Sequence, residues 1–144
     1  MLPYDQENIV AIATPPGIGA LAVLRLSGAN LRPLYTDFTH RAPKNRYALY
    51  SKLYHPKDNT VLDEAVVTYF KGPNSYTGED MIEISCHGGD TVKNAILQAA
   101  MDSGARLAQP GEFSFRSFLN GKMDLLQAEA VSALISSKSS LSKN

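Results

Sequence analysis

Ala108–Gln127, AQPGEFSFRSFLNGKMDLLQ, is the stretch around which the chain reads most clearly. Pro110 and Gly111 break whatever precedes them. Phe113, Phe115, Phe118 and Leu119 follow, four large apolar side chains in a short run, too many for a solvated loop, so the spacing predicts a turn or two of helix. Asn120-Gly121 is the strongest turn signal in the chain. Asp124 then has the identity of an N-cap, with Gln127 at the capping-box position, and predicts a second helix. Between the two helices stands Lys122, a cation held on a turn, which is how a binding residue is placed and also how a solvated lysine looks.

Working outward, the preceding segments alternate strands and helices. Asn8–Thr14 (NIVAIAT) is short and β-rich and predicts a buried strand. The 15–19 stretch, PPGIG, is a loop; it lacks the GK[ST] ending of a P-loop and the third glycine of a dinucleotide fingerprint. In Leu21–Ser27 (LAVLRLS), Leu21, Val23 and Arg25 share one face and Ala22, Leu24 and Leu26 the other. Arg25 thus interrupts an apolar strand and needs a carboxylate, a ligand or a route to water. A short helix follows near Leu31–Phe38, with Pro33 in its first turn. Tyr47–Tyr54 and Glu64–Phe70 read as a hairpin across the turn residues Pro56, Asp58 and Asn59. Lys44, Arg46 and Lys52 beside three tyrosines read as a solvated hairpin face or, as the alternative, a surface able to touch a phosphate backbone.

After the polar loop Lys71–Asp80, the segment Met81–His87 alternates: Ile82, Ile84 and Cys86 on one side, Met81, Glu83, Ser85 and His87 on the other. The polar face is either solvated or the wall of a pocket. A helix is expected from Thr91 to Ser103, with Asp90 as N-cap, Gly104 at its C-terminus, and Val92, Ile96, Ala99 and Ala100 as the buried stripe. The last helix carries a broad apolar stripe, Leu126, Ala130, Ala133 and Leu134, expected to be buried on much of its surface. The Ser-rich 136–144 end has no helix stop, which reads as a fragment cut inside a longer helical region, with fraying toward Asn144.

Composition bounds the function. The 144 residues make about one domain, and 14 basic against 14 acidic residues leave no net charge to demand a polyanionic partner by long-range field. A single cysteine, Cys86, excludes a disulfide framework and fits a reducing cytosol; on its apolar strand face it reads as a small buried hydrophobe. No apolar run reaches membrane-span length and no secretory signal is expected at the N-terminus. There is no HExxH, P-loop or supported Ser-His-Asp set, and His40, His55 and His87 lie too far apart to suggest a metal site. The residues by themselves give a soluble α/β domain with a pocket near Arg25, Glu83 and Lys122.

Three motifs in order, IVAIATPPGIGALAVLRLSG, GPNSYTGEDMIEISCHGG and RLAQPGEFSFRSFLNGKMDLLQAEAV, resemble the N-terminal region of the MnmE/TrmE family of tRNA modification GTPases. The resemblance spans Asn8 to Ile135 and departs at Ile18 and Ala20, where many members read GRGG. It implies an α+β fold, a sheet of about five strands with helices packed on it, similar to the tetrahydrofolate-binding domain of the glycine-cleavage T-protein. It implies a folate-binding, homodimerising domain over residues 1–120 and the truncated start of a helical domain over 121–144. It further implies a cytoplasmic system, with no membrane role, in which a GTPase and the flavoprotein MnmG place a carboxymethylaminomethyl-type group on the wobble uridine of tRNA, the folate supplying the one-carbon unit. The family's LRISG, VxEI and LNxK motifs carry the contacts to a tetrahydrofolate derivative, 5-formyl or 5,10-methylene, and fall here on Arg25, Glu83 and Lys122. GTP, Mg and K belong to the GTPase domain, and neither the P-loop nor the family's C-terminal cysteine motif is present, so no catalysis is expected of this chain alone. The rival expectations are a free-standing folate-dependent aminomethyltransferase and an RNA-binding accessory module.

Overall fold

The computed structural model describes residues 6–15 and 19–142, with side chains left out of the description at 132 and 135–142. Its elements are β1 (Ile9–Ile12), β2 (Leu21–Gly28), α1 (Arg32–Thr39), β3 (Ala48–Tyr54) and β4 (Val61–Phe70), then β5 (Asp80–His87), α2 (Asp90–Asp102), β6 (Arg106–Leu107), α3 (Glu112–Leu119) and α4 (Leu125–Ser142). One open sheet runs in the order β3-β4-β5-β2-β1-β6, with every pairing antiparallel except β1–β6. This is an α+β fold of six strands, not five. The sixth strand is two residues long and carries no alternation to read. It exists because Arg106 N–H and Ala108 N–H donate to the carbonyls of Asn8 and Val10 at 2.9 Å, capping the edge of β1. The 15–19 loop expected to connect β1 and β2 lies largely outside the described residues.

Strand alternation decides which face is core. Ala22, Leu24 and Leu26 of β2 join Val67 and Tyr69 of β4 and Ile82 and Ile84 of β5, all buried. Helices α1 and α2 cover that face with Leu34, Tyr35 and Phe38, and with Ile96, Ala99 and Ala100. Tyr35 meets Tyr69 edge-on, ring centroids 5.7 Å apart. Each fully buried large aliphatic here contributes about 1.5–3 kcal/mol, so the helices are held by the sheet rather than by their own short lengths. Cys86 is buried as expected, and burial pushes its thiol up to about 11.

Two expectations fail for definable reasons, and α3 forms as read but with an unforeseen buried face. Asp90 is not the N-cap of α2; Gly89 is, and Asp90, inside the first turn, instead pairs with the buried Lys93 at 3.0 Å. Lys93 thereby takes the buried position beside Val92, which is only partly covered. The Phe-rich run does form α3, but its buried face is Ser114, Arg116 and Ser117, while Phe115 is largely exposed. Among the described residues α4 packs chiefly on α3, and Leu126 and Leu134 of its apolar stripe remain 76% and 65% exposed. The capping box at the start of α4 does form: Gln127 N–H donates to Asp124 Oδ1 at 2.7 Å and Asp124 N–H to Gln127 Oε1 at 3.0 Å. The expected fraying toward Asn144 lies outside the described residues.

Candidate functional site

The second face of the sheet is polar and partly open. Register places Arg25 of β2 directly opposite Glu83 of β5, and Arg25 Nε donates to Glu83 Oε1 at 2.8 Å. The two side chains are 44% and 32% exposed, so as a stability device the pair contributes at most about 1 kcal/mol. Among the described residues no other hydrogen bond engages either side chain. The outer Nη edge of the Arg25 fork and the second oxygen of Glu83 therefore point to bonds that the protein does not make.

A cleft of ≈ 490 Å³ opens beside Arg25, between the end of β1 and the chain entering α3, with Tyr76, Pro110, Phe113 and Val131 among its walls. A smaller cavity of ≈ 130 Å³ adjoins it, lined by Arg25, Phe70, Tyr76, Met81 and Glu83. Arg25 and Tyr76 belong to both. The arrangement suits a flat, ring-containing ligand: apolar and aromatic walls, one carboxylate to accept paired N–H donors, and one guanidinium for an anion.

The loop that carries Tyr76 is tied to α3. The Tyr76 hydroxyl lies 3.0 Å from Ser114 Oγ, Ser117 Oγ donates to the Tyr76 carbonyl at 2.7 Å, and Asn120 Nδ2 donates to the Thr77 carbonyl at 2.9 Å. Gly78 makes this seam possible. Its φ is +83°, and a Cβ there would stand 2.7 Å from Asn120 Cβ.

Beneath the seam is a buried charged network. Arg116 is fully buried; it donates to Glu79 at 2.9 Å, to Glu112 at 3.2 Å and to the Glu7 carbonyl at 2.8 Å. Ser27 Oγ on β2, 2.7 Å from the Thr77 hydroxyl, donates to Glu79 at 2.8 Å. Arg106 grips Glu112 with both terminal nitrogens at 2.8 and 2.6 Å. Those hydrogen bonds from Arg106, against burial, hold the Glu112 carboxyl down at about 2. The network locks α3, the Tyr76 loop and β2 together and so fixes the walls of the cleft. Sequence reasoning missed it. The available signal was Glu112 and Arg116 at i,i+4 inside an aromatic run.

Of the sequence-marked residues, the fold brings Arg25 and Glu83 together and leaves Lys122 apart. Lys122 is exposed on the Gly121 turn (φ +72°), where its N–H donates to the Ser117 carbonyl at 2.8 Å, and it stands near Gly78, next to the Tyr76 loop but outside the cleft lining. Ser85 and His87, expected on the same wall as Glu83, do not line it. His87 is instead bound to Asp63, ring Nδ1 to Oδ1 at 2.8 Å. Burial alone would raise the Asp63 carboxyl, but this bond and the one from His87 N–H hold it below its ordinary value. Tyr76 and Phe113 line the cleft and Phe115 does not. Among the described residues no three side chains cluster as metal ligands, and no helix is long and apolar enough to cross a membrane.

Residues 8–122 match the family described as GTP-binding protein TrmE N-terminus. The chain is 50% identical to the tRNA modification GTPase MnmE of Aquifex aeolicus over 140 residues, covering 96% of this chain and 31% of that protein. It is 44% identical over 138 residues to the MnmE of Francisella tularensis subsp. novicida, 96% of this chain and 30% of the relative. It is 50% identical over 129 residues to that of Dechloromonas aromatica, 90% and 29%. The chain thus spans about 30% of the length of the relatives it matches. With the family matched over most of its length, this chain belongs to the TrmE N-terminal family, the N-terminal domain of tRNA modification GTPases.

Proposed function

We propose that this domain binds a reduced folate and pairs with a second copy of itself within a tRNA modification GTPase. In that reading the domain ends near residue 120, and 121–144 begins a helical domain like that of the family. The whole protein then works in the cytoplasm with an MnmG-type flavoprotein on the wobble uridine of tRNA. GTP, Mg and K serve its GTPase domain. The fold relationship to the glycine-cleavage T-protein is part of the same reading.

The observation that carries it is the Arg25–Glu83 pair set between two cavities with aromatic walls. A pterin presents an exocyclic amine beside a ring N–H, and a carboxylate such as Glu83 accepts both. Tyr76, a wall of both cavities, and Phe113, a wall of the larger cleft, offer flat apolar contact. The glutamate tail of a folate carries carboxylates, which suit the outer edge of the Arg25 fork and, for a ligand longer than the cleft, Lys122 beside the Tyr76 loop. The bound folate would supply a one-carbon unit; these residues bind and orient it.

Titrating 5-formyltetrahydrofolate into the chain by calorimetry tests the assignment. Binding is expected, and Arg25→Ala, Glu83→Ala and Lys122→Ala each weaken it by about 1.5–3 kcal/mol, the loss of one charged hydrogen-bond partner. Three variants that bind as tightly as the unaltered chain would show that the Arg25–Glu83 pair is structural only. Light scattering of the same samples is expected to give twice the 15.6 kDa chain mass.

A further inference from the structure

The electrically neutral chain hides a local excess of positive charge. Between Asp37 and Asp58 there is no carboxylate, while Arg41, Lys44, Arg46, Lys52 and Lys57 supply five cations. This segment contains β3, which is an edge strand of the sheet, and the loop that leads into it.

A groove of ≈ 560 Å³ runs along that edge, with His40, Arg41, Tyr50, Lys52 and Tyr54 among its walls. Arg41 and Lys52 have no carboxylate within 4 Å among the described residues. The one acidic wall residue, Glu64, accepts a hydrogen bond from the Tyr50 hydroxyl at 2.7 Å. The rings are displayed rather than buried: Tyr50 is 67% and Tyr47 50% exposed. His40 lies flat on Tyr54, centroids 3.8 Å apart and planes 12° apart, and Lys44 Nζ sits 4.8 Å over the Tyr47 ring. Cations interleaved with flat exposed rings, with Glu64 opposite Lys52 on β4 as the one carboxylate in the groove lining and engaged by Tyr50, suit a strand of phosphates with unpaired bases.

The edge also has a destination. Arg46, held at φ +61° by its N–H bond to the Tyr69 carbonyl, places its guanidinium 5.8 Å over the Phe70 ring. Phe70 is a wall of the small cavity that contains Arg25 and Glu83. Lys52 on β3 and Arg46 in the turn just before it lie on the same sheet edge, so the basic edge leads from the groove toward the rim of the candidate site.

We infer that the β3 edge, from Arg41 and Lys52 to Arg46, is a docking track for an unpaired segment of RNA and delivers it toward the Arg25–Glu83 cavity. The choice of RNA over other polyanions rests on the tRNA part of the proposed function; the track itself rests on the charge and ring geometry.

The test is fluorescence anisotropy of the chain with a fluorescein-labelled RNA stem-loop and with a fully paired RNA duplex of equal length. The stem-loop is expected to bind more tightly. Arg41→Ala/Lys52→Ala weakens it by about tenfold or more and lowers the slope of log Kd against log salt by about 1.4, two phosphate contacts on a single strand. Arg41→Lys/Lys52→Arg keeps most of the affinity. Tyr50→Ala weakens the stem-loop and leaves the duplex unchanged. Far-UV circular dichroism identical to that of the unaltered chain shows that each variant folds. No binding, equal binding of loop and duplex, or an equal loss on Arg32→Ala at the other end of α1 overturns the inference. So does tighter binding to phosphatidylserine vesicles with the same dependence on Arg41 and Lys52. Arg25→Ala separates the two readings: it weakens folate binding by about tenfold or more and leaves stem-loop affinity intact. A chain that binds the stem-loop as stated but no folate overturns the folate assignment alone, and the converse overturns the track alone.

Discussion

Arg116→Met is the most severe single change the structure predicts. The guanidinium is fully buried, and its three acceptors come from three parts of the chain: Glu79 in the loop before β5, Glu112 one turn back in α3, and the Glu7 carbonyl. Methionine fills similar volume without charge, so the packing loss is small. The electrostatic loss is not. Glu112 keeps its two bonds from Arg106, so the damage falls on Glu79, whose side chain is only 6% exposed and would face a neutral neighbour. Breaking a buried pair by removing one partner costs about 3–5 kcal/mol, a large share of the roughly 5–15 kcal/mol that holds a domain folded. Urea unfolding at pH 7, followed by far-UV circular dichroism because the chain has no tryptophan, reads the cost directly. The double variant Arg116→Met/Glu79→Leu is expected to recover most of it, since a well-packed apolar replacement of a buried pair is close to neutral. A single-variant cost below about 1 kcal/mol, or a double variant worse than the sum of its parts, would refute the view that this network holds α3 to the sheet.

Acid titration is expected to weaken the fold between pH 4.5 and about 2, because the Glu112 carboxyl falls from 4.5 to about 2 in the folded chain. A depressed carboxyl contributes its full stability above the unfolded value and loses it as pH falls toward the folded one, here on the order of 3 kcal/mol; Glu112→Gln flattens that part of a stability-versus-pH curve, and an unchanged slope contradicts the assignment. Gly78→Ala forces a Cβ into a left-handed backbone 2.7 Å from Asn120, so it is expected to cost about 1–3 kcal/mol and to raise amide exchange around Tyr76 and Thr77. Normal protection there would mean that the loop has another way to seat on α3.

Much of the site was written in local pattern. A strand pleat has period two, so LAVLRLS by itself puts Arg25 opposite to the apolar face, and MIEISCH does the same for Glu83. The capping box at Asp124 and Gln127 is equally local, since both bonds close within four residues. These features need no partner from elsewhere in the chain, and they formed as read. The edge groove was half legible: Lys44, Arg46, Lys52 and the tyrosines are adjacent in sequence, but Arg41 and His40 reach them only because α1 ends above β3.

What the sequence left open is whatever depends on pairing between distant segments. Arg25 and Glu83 are 58 positions apart, and a slip of β5 against β2 by one residue would turn Glu83 to the core; register, fixed by burial of Leu24, Ile82 and Ile84 together, makes them neighbours. The same holds for β6, which has no pattern of its own and is a strand only because β1 offers an edge. Hydrophobicity misled in α3 and α4: Arg116 is buried because two carboxylates and a carbonyl meet it there, while Leu126 and Leu134 of α4 stay exposed because, among the described residues, α4 packs chiefly on α3. The chain by itself determined which side chains each strand and helix presents on each face; tertiary structure decided which of those faces meet, because burial is a property of pairs of surfaces and not of one.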